Sequence, residues 1–479
     1  MNLKQKIKQS GLSYFETHAP DVPIGQNTLS TEEIATSPVL ATPRKKNKLL
    51  IWSFGSAGTA LVGIAIVAVV LLTAGPKEYL GLEALNAVNY PQDREVNKAM
   101  VSADHVMHIR DFAFETTQGL YNDDTANLVY SPISAYYALS LLLEAARGET
   151  YNQLAATLGV SDIQSLRIDS QSLYKNLYYD FKEGSGDNYK YATSKIANGV
   201  FVNNLATVKQ DYLDTLATQY YAEVFHTAFD ADSKKGIAEW LNDKTNDFLD
   251  VVPEDLHVDT ETLYALYNTI YMKESWVKGF EESMTEEATF TTSESGATQR
   301  GDFMYGLQPA PYFSHDEYQS LSLGLYGGGS VIFVLPQSGY LPSDIIQSHV
   351  LLNQILDEMK NATEANDVVA RVGLPKGKTV QKYSLKETLQ ANGVIDVFTD
   401  ASDLGNAVEG AFVESIIQKV GVEFTEAGAE AAAYTEVDVG ETAMPSNGDL
   451  DFILNHSFLY FIVSPDGVPS FIGVTNALE

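Results

Sequence analysis

Cysteine is absent from this chain, so no disulfide, thiol nucleophile or thiolate metal site can contribute to it. A large domain without bridges rests on its core, and 479 residues at 45% hydrophobic supply ample material for one. Basic residues are scarce as well: 31 Lys and Arg stand against 63 Asp and Glu, a formal net charge of −32. That imbalance argues against nucleic-acid partners and against close approach to an anionic surface. No Lys or Arg follows Lys419. HExxH and GxSxG motifs are missing, and residues 373–379 (GLPKGKT) fall one short of a phosphate loop, with Pro375 inside. The histidines are scattered; His105 and His108 share a helix face with no third ligand, and such a pair reads as solvent-exposed. No enzyme, metal site or cofactor is expected.

Long apolar runs are few, and one differs in kind from the rest. Residues 49–73 form an uncharged stretch of about 25 residues, enough to cross a hydrocarbon core. It follows the polar 1–48 stretch, too late for a secretory signal, and residues 72–74 (LTA) make a poor cleavage site. A retained transmembrane helix is expected; a buried core helix and a cleaved signal are the alternatives. Arg44, Lys45, Lys46 and Lys48 precede the run, whereas Lys77 and Glu78 balance after it. The positive-inside rule makes this a single-pass protein of the cell membrane, N-terminus cytoplasmic and the rest extracellular. Residues 1–48 read as a disordered cytoplasmic tail and residues 74–104 as an extracellular tether.

Near the C-terminus lies a run patterned for a sheet yet poor in strand formers. From Ala429 every second residue is small or apolar: Ala429, Ala431, Ala433, Thr435, Val437 and Val439. Between them stand Glu430, Tyr434, Glu436 and Asp438, with Ala432 the exception. Period two marks a strand with one buried face. Ala and Glu are weak strand formers, and Gly428 and Gly440 flank the run, so nothing local commits it. Two readings stand: an acidic surface loop with accidental alternation, or a loop able to become a strand.

The surrounding residues favour the second. Glu426, Gly428, Ala429, Glu430, Ala431, Ala432, Ala433 and Thr435 resemble the hinge of the serpin reactive-centre loop. Residues 127–160 are similar to the serpin segment that runs from a buried strand into a long helix, with Ser131 an N-cap and Pro132 the first helical residue. Ile237, Trp240, Leu241, Asn242 and Thr245 match a later family helix, and residues 267–280 (YNTIYMKESWVKGF) a central strand. Residues 372–376 (VGLPK), Leu385, Leu389, Gly393, Asp396 and Phe398 also fit, as do His456, Phe458, Phe461, Gly473 and Asn476.

The resemblance implies an α+β fold of large mixed sheets and eight to nine helices over residues 105–479, with an exposed reactive loop at about 426–450. It implies stoichiometric inhibition, in which a target serine protease attacks the loop and is trapped covalently while the loop enters the main sheet. A monomer is expected, joined to the membrane by its single N-terminal helix. The family's spacing places the scissile bond at Thr442–Ala443, counted from Glu426; counting back from Phe458 lands nearer Ser446, and Glu441–Thr442 is the runner-up. Small, uncharged residues there suit elastase-like or subtilisin-like proteases and not trypsin-like ones. Ser131, Ser134 and Asn268 match the shutter beneath the parting strands, and Trp276 the breach where insertion begins. Helix capping by the serines and core packing by Trp276 are the plainer readings of these residues. The shutter position that is commonly His falls on Gln418, which can donate and accept without the same pH dependence. A Lys or Arg at Ala429 or Ala431 is expected to block insertion. A non-inhibitory surface binding module of the same fold is the alternative function, and a structural surface protein or an enzyme of unrelated fold a third.

Overall fold

The computed structural model describes residues 77–91, 99–121, 124–185, 188–292, 296–414, 416–429 and 448–478. Two sheets and, among the described residues, nine α-helices make an α+β fold. The 1–48 tail and the 49–73 run lie outside the described residues, among which no helix is long and apolar enough to cross a membrane.

Helix Pro132–Ala145 sits at the centre. Its sequence, PISAYYALSLLLEA, is apolar all round and every residue is buried, as expected for a helix with no solvent face. It begins as its residues dictate: the Ser131 side chain accepts from Ser134 N, and Pro132 occupies the first turn. Strands Ser330–Pro336 and Phe458–Val463 pair as almost fully buried apolar runs within a nine-stranded sheet, whose Pro469–Thr475 strand packs on this helix.

The eight-stranded sheet carries the candidate site. In order across it stand Leu82–Ala84, Ala222–Thr227, Asn188–Asn203, Tyr264–Ser275, Gly428–Ala429, Ile417–Phe424 and Gly377–Ser384. Alternation along Asn188–Asn203 sorts its side chains between two cores. Ile196, Val200 and Val202 join the main core, whereas Ala197 and Phe201 join a second cluster with Phe225, Phe229, Ile237 and Trp240. Helix Ala231–Lys244 covers that second cluster.

After this helix the chain crosses toward the far side of the sheet. Lys378 Nζ donates to Phe248 O at 2.9 Å, and Lys419 Nζ to Asp250 O at 3.0 Å. Asp255 pairs with Lys419 at 2.9 Å and Lys382 at 3.3 Å. Burial pushes the Asp255 carboxyl up, but the Lys419 bond, the Val252 N–H and Lys382 outweigh it and hold it at about 2.

Two expectations need correction. Residues 77–91 are no spacer: they pack on the main sheet and add the Leu82–Ala84 edge strand. Their alternation is too short to register in the sequence, and tertiary contacts decide it. His105 is not solvent-exposed but buried edge-on against Tyr136, and burial drives its pKa down to about 4.

Candidate functional site: a hinge seated between two strands

Gly428 and Ala429 form a two-residue strand between strands that would otherwise be neighbours. Ala429 pairs with Glu274 on one side and with Phe424 on the other, and Gly428 pairs with Ser275. Among the described residues, Tyr264–Ser275 and Ile417–Phe424 share no ladder of their own. Flanking one common strand, they stand about 9–10 Å apart there, two ladder spacings. Only glycine fits at 428, where a Cβ would lie 2.0 Å from Glu274 O. Ala429 is buried, 1% exposed. Beneath it is a cavity of about 20 Å³, room for little more than a water, lined by Phe248, Ile270, Met272 and Val422.

Residues 425–427 fasten the hinge above the slot. Trp276 is 1% exposed; its Nε1 donates to Thr425 O at 2.9 Å and its backbone N to Ala427 O at 2.9 Å. Its ring stacks on Phe424 and meets Phe280 edge-on. Trp276 thus packs in the core and also holds residues 425–427 through two hydrogen bonds. Glu426 is buried and held by Lys376 Nζ at 2.9 Å and by the Thr285 hydroxyl at 2.7 Å. Burial raises the Glu426 carboxyl, but the Lys376 and Thr285 bonds prevail and hold it below its ordinary value.

Lower down, the polar cluster has two halves, joined where Ser134 N donates to Ser131 Oγ. Gln418 and Ser131 exchange bonds, Ser131 N donating to Oε1 at 3.0 Å and Nε2 donating to Ser131 O at 2.9 Å. Ser131 Oγ donates to Ser470 O at 2.8 Å. On the other side Ser134 Oγ donates to Asn268 Oδ1, and Asn268 Nδ2 to Asn198 Oδ1. Asn198 Nδ2 ends the chain on Tyr220 O at 2.7 Å. No bond joins Gln418 to Asn268 among the described residues. Gln418 makes these bonds with a side chain that does not titrate, so they do not change between pH 5 and 8.

The structure brings together Ser131, Ser134, Asn268, Gln418, Trp276, Glu426, Gly428 and Ala429 along one line from hinge to shutter. Glu430, Ala431, Ala432, Ala433, Thr435, Thr442 and Ala443 lie outside the described residues. Sequence reasoning missed Asn198, Thr285, Lys376 and Asp255. Lys376, in the VGLPK motif, carried the one usable signal: a cation in a chain poor in cations. No cluster of metal-ligating side chains occurs among the described residues.

A two-residue strand seated between two longer ones is the distinguishing feature of the eight-stranded sheet. A family model described as Serpin (serine protease inhibitor) matches residues 107–477. The chain belongs to the serpin family, whose members are generally protease inhibitors. The human protein Serpin B4 is 27% identical over 372 residues, 73% of this chain and 93% of that one. Alpha-1-antiproteinase S of Cavia porcellus is 27% identical over 357 residues, 73% of this chain and 84% of that one. The thermophilic serpin Tengpin in its native state superposes with a TM-score of 0.70 at 23% identity, covering 83% of this chain and all of that one.

Proposed function

We propose that this chain is a membrane-tethered suicide inhibitor of serine proteases with elastase-like or subtilisin-like pockets. The seated hinge carries the inhibitory reading. Continuing the register of Ala429 down the slot brings Ala431 opposite Met272 and Val422, and Ala433 opposite Ile270 and Val420. Thr435 then falls between Asn268 and Gln418, where its hydroxyl can bridge the two halves of the polar cluster. Every inward position in that register carries a small side chain, which is what a buried strand face accepts.

A protease serine that attacks the Thr442–Ala443 bond forms an acyl ester on Thr442 and frees an amino terminus at Ala443. The loop then adds as a strand, dragging the acylated protease with it and distorting its active site. Roughly a dozen residues at about 1 kcal/mol net per backbone hydrogen bond supply on the order of 10 kcal/mol. A shallow or apolar primary pocket accepts Thr442, whereas a pocket with a buried carboxylate is left unpaired by it.

Mixed with an elastase-like or subtilisin-like serine protease, the soluble domain is expected to run as an SDS-stable complex, and with a trypsin-like one to give none. Mass spectrometry of the released peptide is expected to place its N-terminus at Ala443. A terminus at Thr442 moves the bond to Glu441–Thr442 and the target to a glutamate-selective protease. Cleavage near Tyr434 without complex sinks the inhibitory reading and favours the binding module.

The tether reading rests on the uncharged 49–73 run and the four cations before it. Reporters fused at either end are expected to be active in the cytoplasm at the N-terminus and outside at the C-terminus. A cytoplasmic C-terminal reporter refutes it.

A further inference from the structure

Residues 77–86 wrap the outer edge of the main sheet. Leu82–Ala84 pairs antiparallel with Ala222–Thr227, and Leu85 N donates to Val224 O at 2.8 Å. Asn86 prolongs the ladder with its side chain: Oδ1 accepts from Val224 N at 3.0 Å and Nδ2 donates to Ala222 O at 3.0 Å. Ahead of the strand, Tyr79 is 8% exposed, edge-on to Phe225, and its hydroxyl donates to Asp243 on helix Ala231–Lys244 at 2.8 Å. Lys77 Nζ reaches the same carboxylate at 2.9 Å.

Two glycines fit this segment to the helix. A Cβ on Gly236, inside helix Ala231–Lys244, would stand 2.0 Å from Leu80 O. Gly81, at φ +69°, approaches the same helix so closely that a Cβ would lie 2.8 Å from Ser233 N. Glycine in a helix interior costs about 1 kcal/mol relative to alanine. The helix bears that cost where any side chain would expel residues 77–86.

The braced helix leads directly into the crossing over the slot. Phe248 lines the gap, and Phe248 O, Asp250 O and Asp255 accept from lysines of the strands beyond it. On the strand-insertion reading, a strand entering beside Phe248 has to displace this crossing and the helix before it. We propose that residues 77–86 are a brace that resists this displacement and sets how fast the sheet admits the loop, a role that rests on the strand-insertion reading above. The brace acts on the outer face and edge of the sheet, away from hinge and shutter.

Gly236→Ala in the full chain tests it, because the added methyl expels the brace while raising helix propensity. Hydrogen exchange is expected to lose protection at the Leu85 and Val224 amides. On mild warming the variant's loop is expected to become protease-resistant, through insertion, about tenfold faster than the parent's. Asn86→Ala, which removes both side-chain bonds without touching the helix, is expected to accelerate it in the same direction. Equal rates in parent and variants, with the amide protection lost, overturn the brace alone. A parent whose cut loop brings no gain in heat stability overturns the insertion reading and the brace with it.

Discussion

Ala429→Glu is expected to turn the inhibitor into a substrate: the loop is cut at a normal rate, but the SDS-stable complex with an elastase-like protease falls by at least about tenfold. Position 429 is 1% exposed and directly opposite Glu274, itself 2% exposed. Side chains directly opposite share a face, so a second carboxylate would meet the first in a dry site. Glutamate is a stricter test than arginine, which could pair with Glu274. The Glu274 carboxylate already accepts from the Tyr179 hydroxyl and from Gly327 N. Glutamate is therefore expected to leave the sheet in the uncut protein, and returning it there during insertion costs several kcal/mol, enough to cancel a large part of a driving force on the order of 10 kcal/mol. Complex formation equal to the parent's would show that trapping does not need this residue in the sheet.

Trp276→Ala carries the second large effect, this time on stability. The side chain is enclosed by Phe424 and Phe280, and it supplies the Nε1 bond to Thr425 O at 2.9 Å. Truncating a fully buried tryptophan removes its transfer energy and leaves a cavity, together about 3–5 kcal/mol. Urea unfolding of the uncut protein is expected to show that loss as a lower midpoint at unchanged slope. The backbone bond from Trp276 N to Ala427 O survives the change, so Gly428–Ala429 keep one anchor. A loss below about 1 kcal/mol would remove Trp276 from the hinge support.

Local chemistry made much of this architecture readable. Ser131 and Pro132 announce the central helix by capping and a fixed φ, and Gly428 announces a close backbone approach. The alternation from Ala429 is legible because sheet periodicity is a property of one segment. Asn198, Thr285 and Asp255 left no such trace, since each acts through a partner distant in sequence: Asn268 is 70 residues from Asn198, Glu426 is 141 from Thr285, and Lys419 is 164 from Asp255. An asparagine in a strand-like run such as IANGVFV does not reveal which face it takes until the register is known. The spacer reading failed over residues 77–91 for the same reason. What holds residues 77–86 is written at Gly236, Asp243 and Val224.

The pairing of Ala429 with Glu274 also has a kinetic meaning. In the proposed mechanism the trap runs a race, because water can hydrolyse the acyl ester and free the protease at a typical turnover of roughly 1–10³ s⁻¹. A free loop would first have to search for its register, and that search is the slow, entropically costly step of strand pairing. Here two residues already sit in register, so growth proceeds from a formed nucleus, and elementary hairpin zipping takes only about 1–10 μs. The contest is then decided by how quickly the gap widens, with the search removed from it. An uncut loop starts from the same nucleus, however. The contact that makes the trap prompt also gives the waiting inhibitor a finite shelf life.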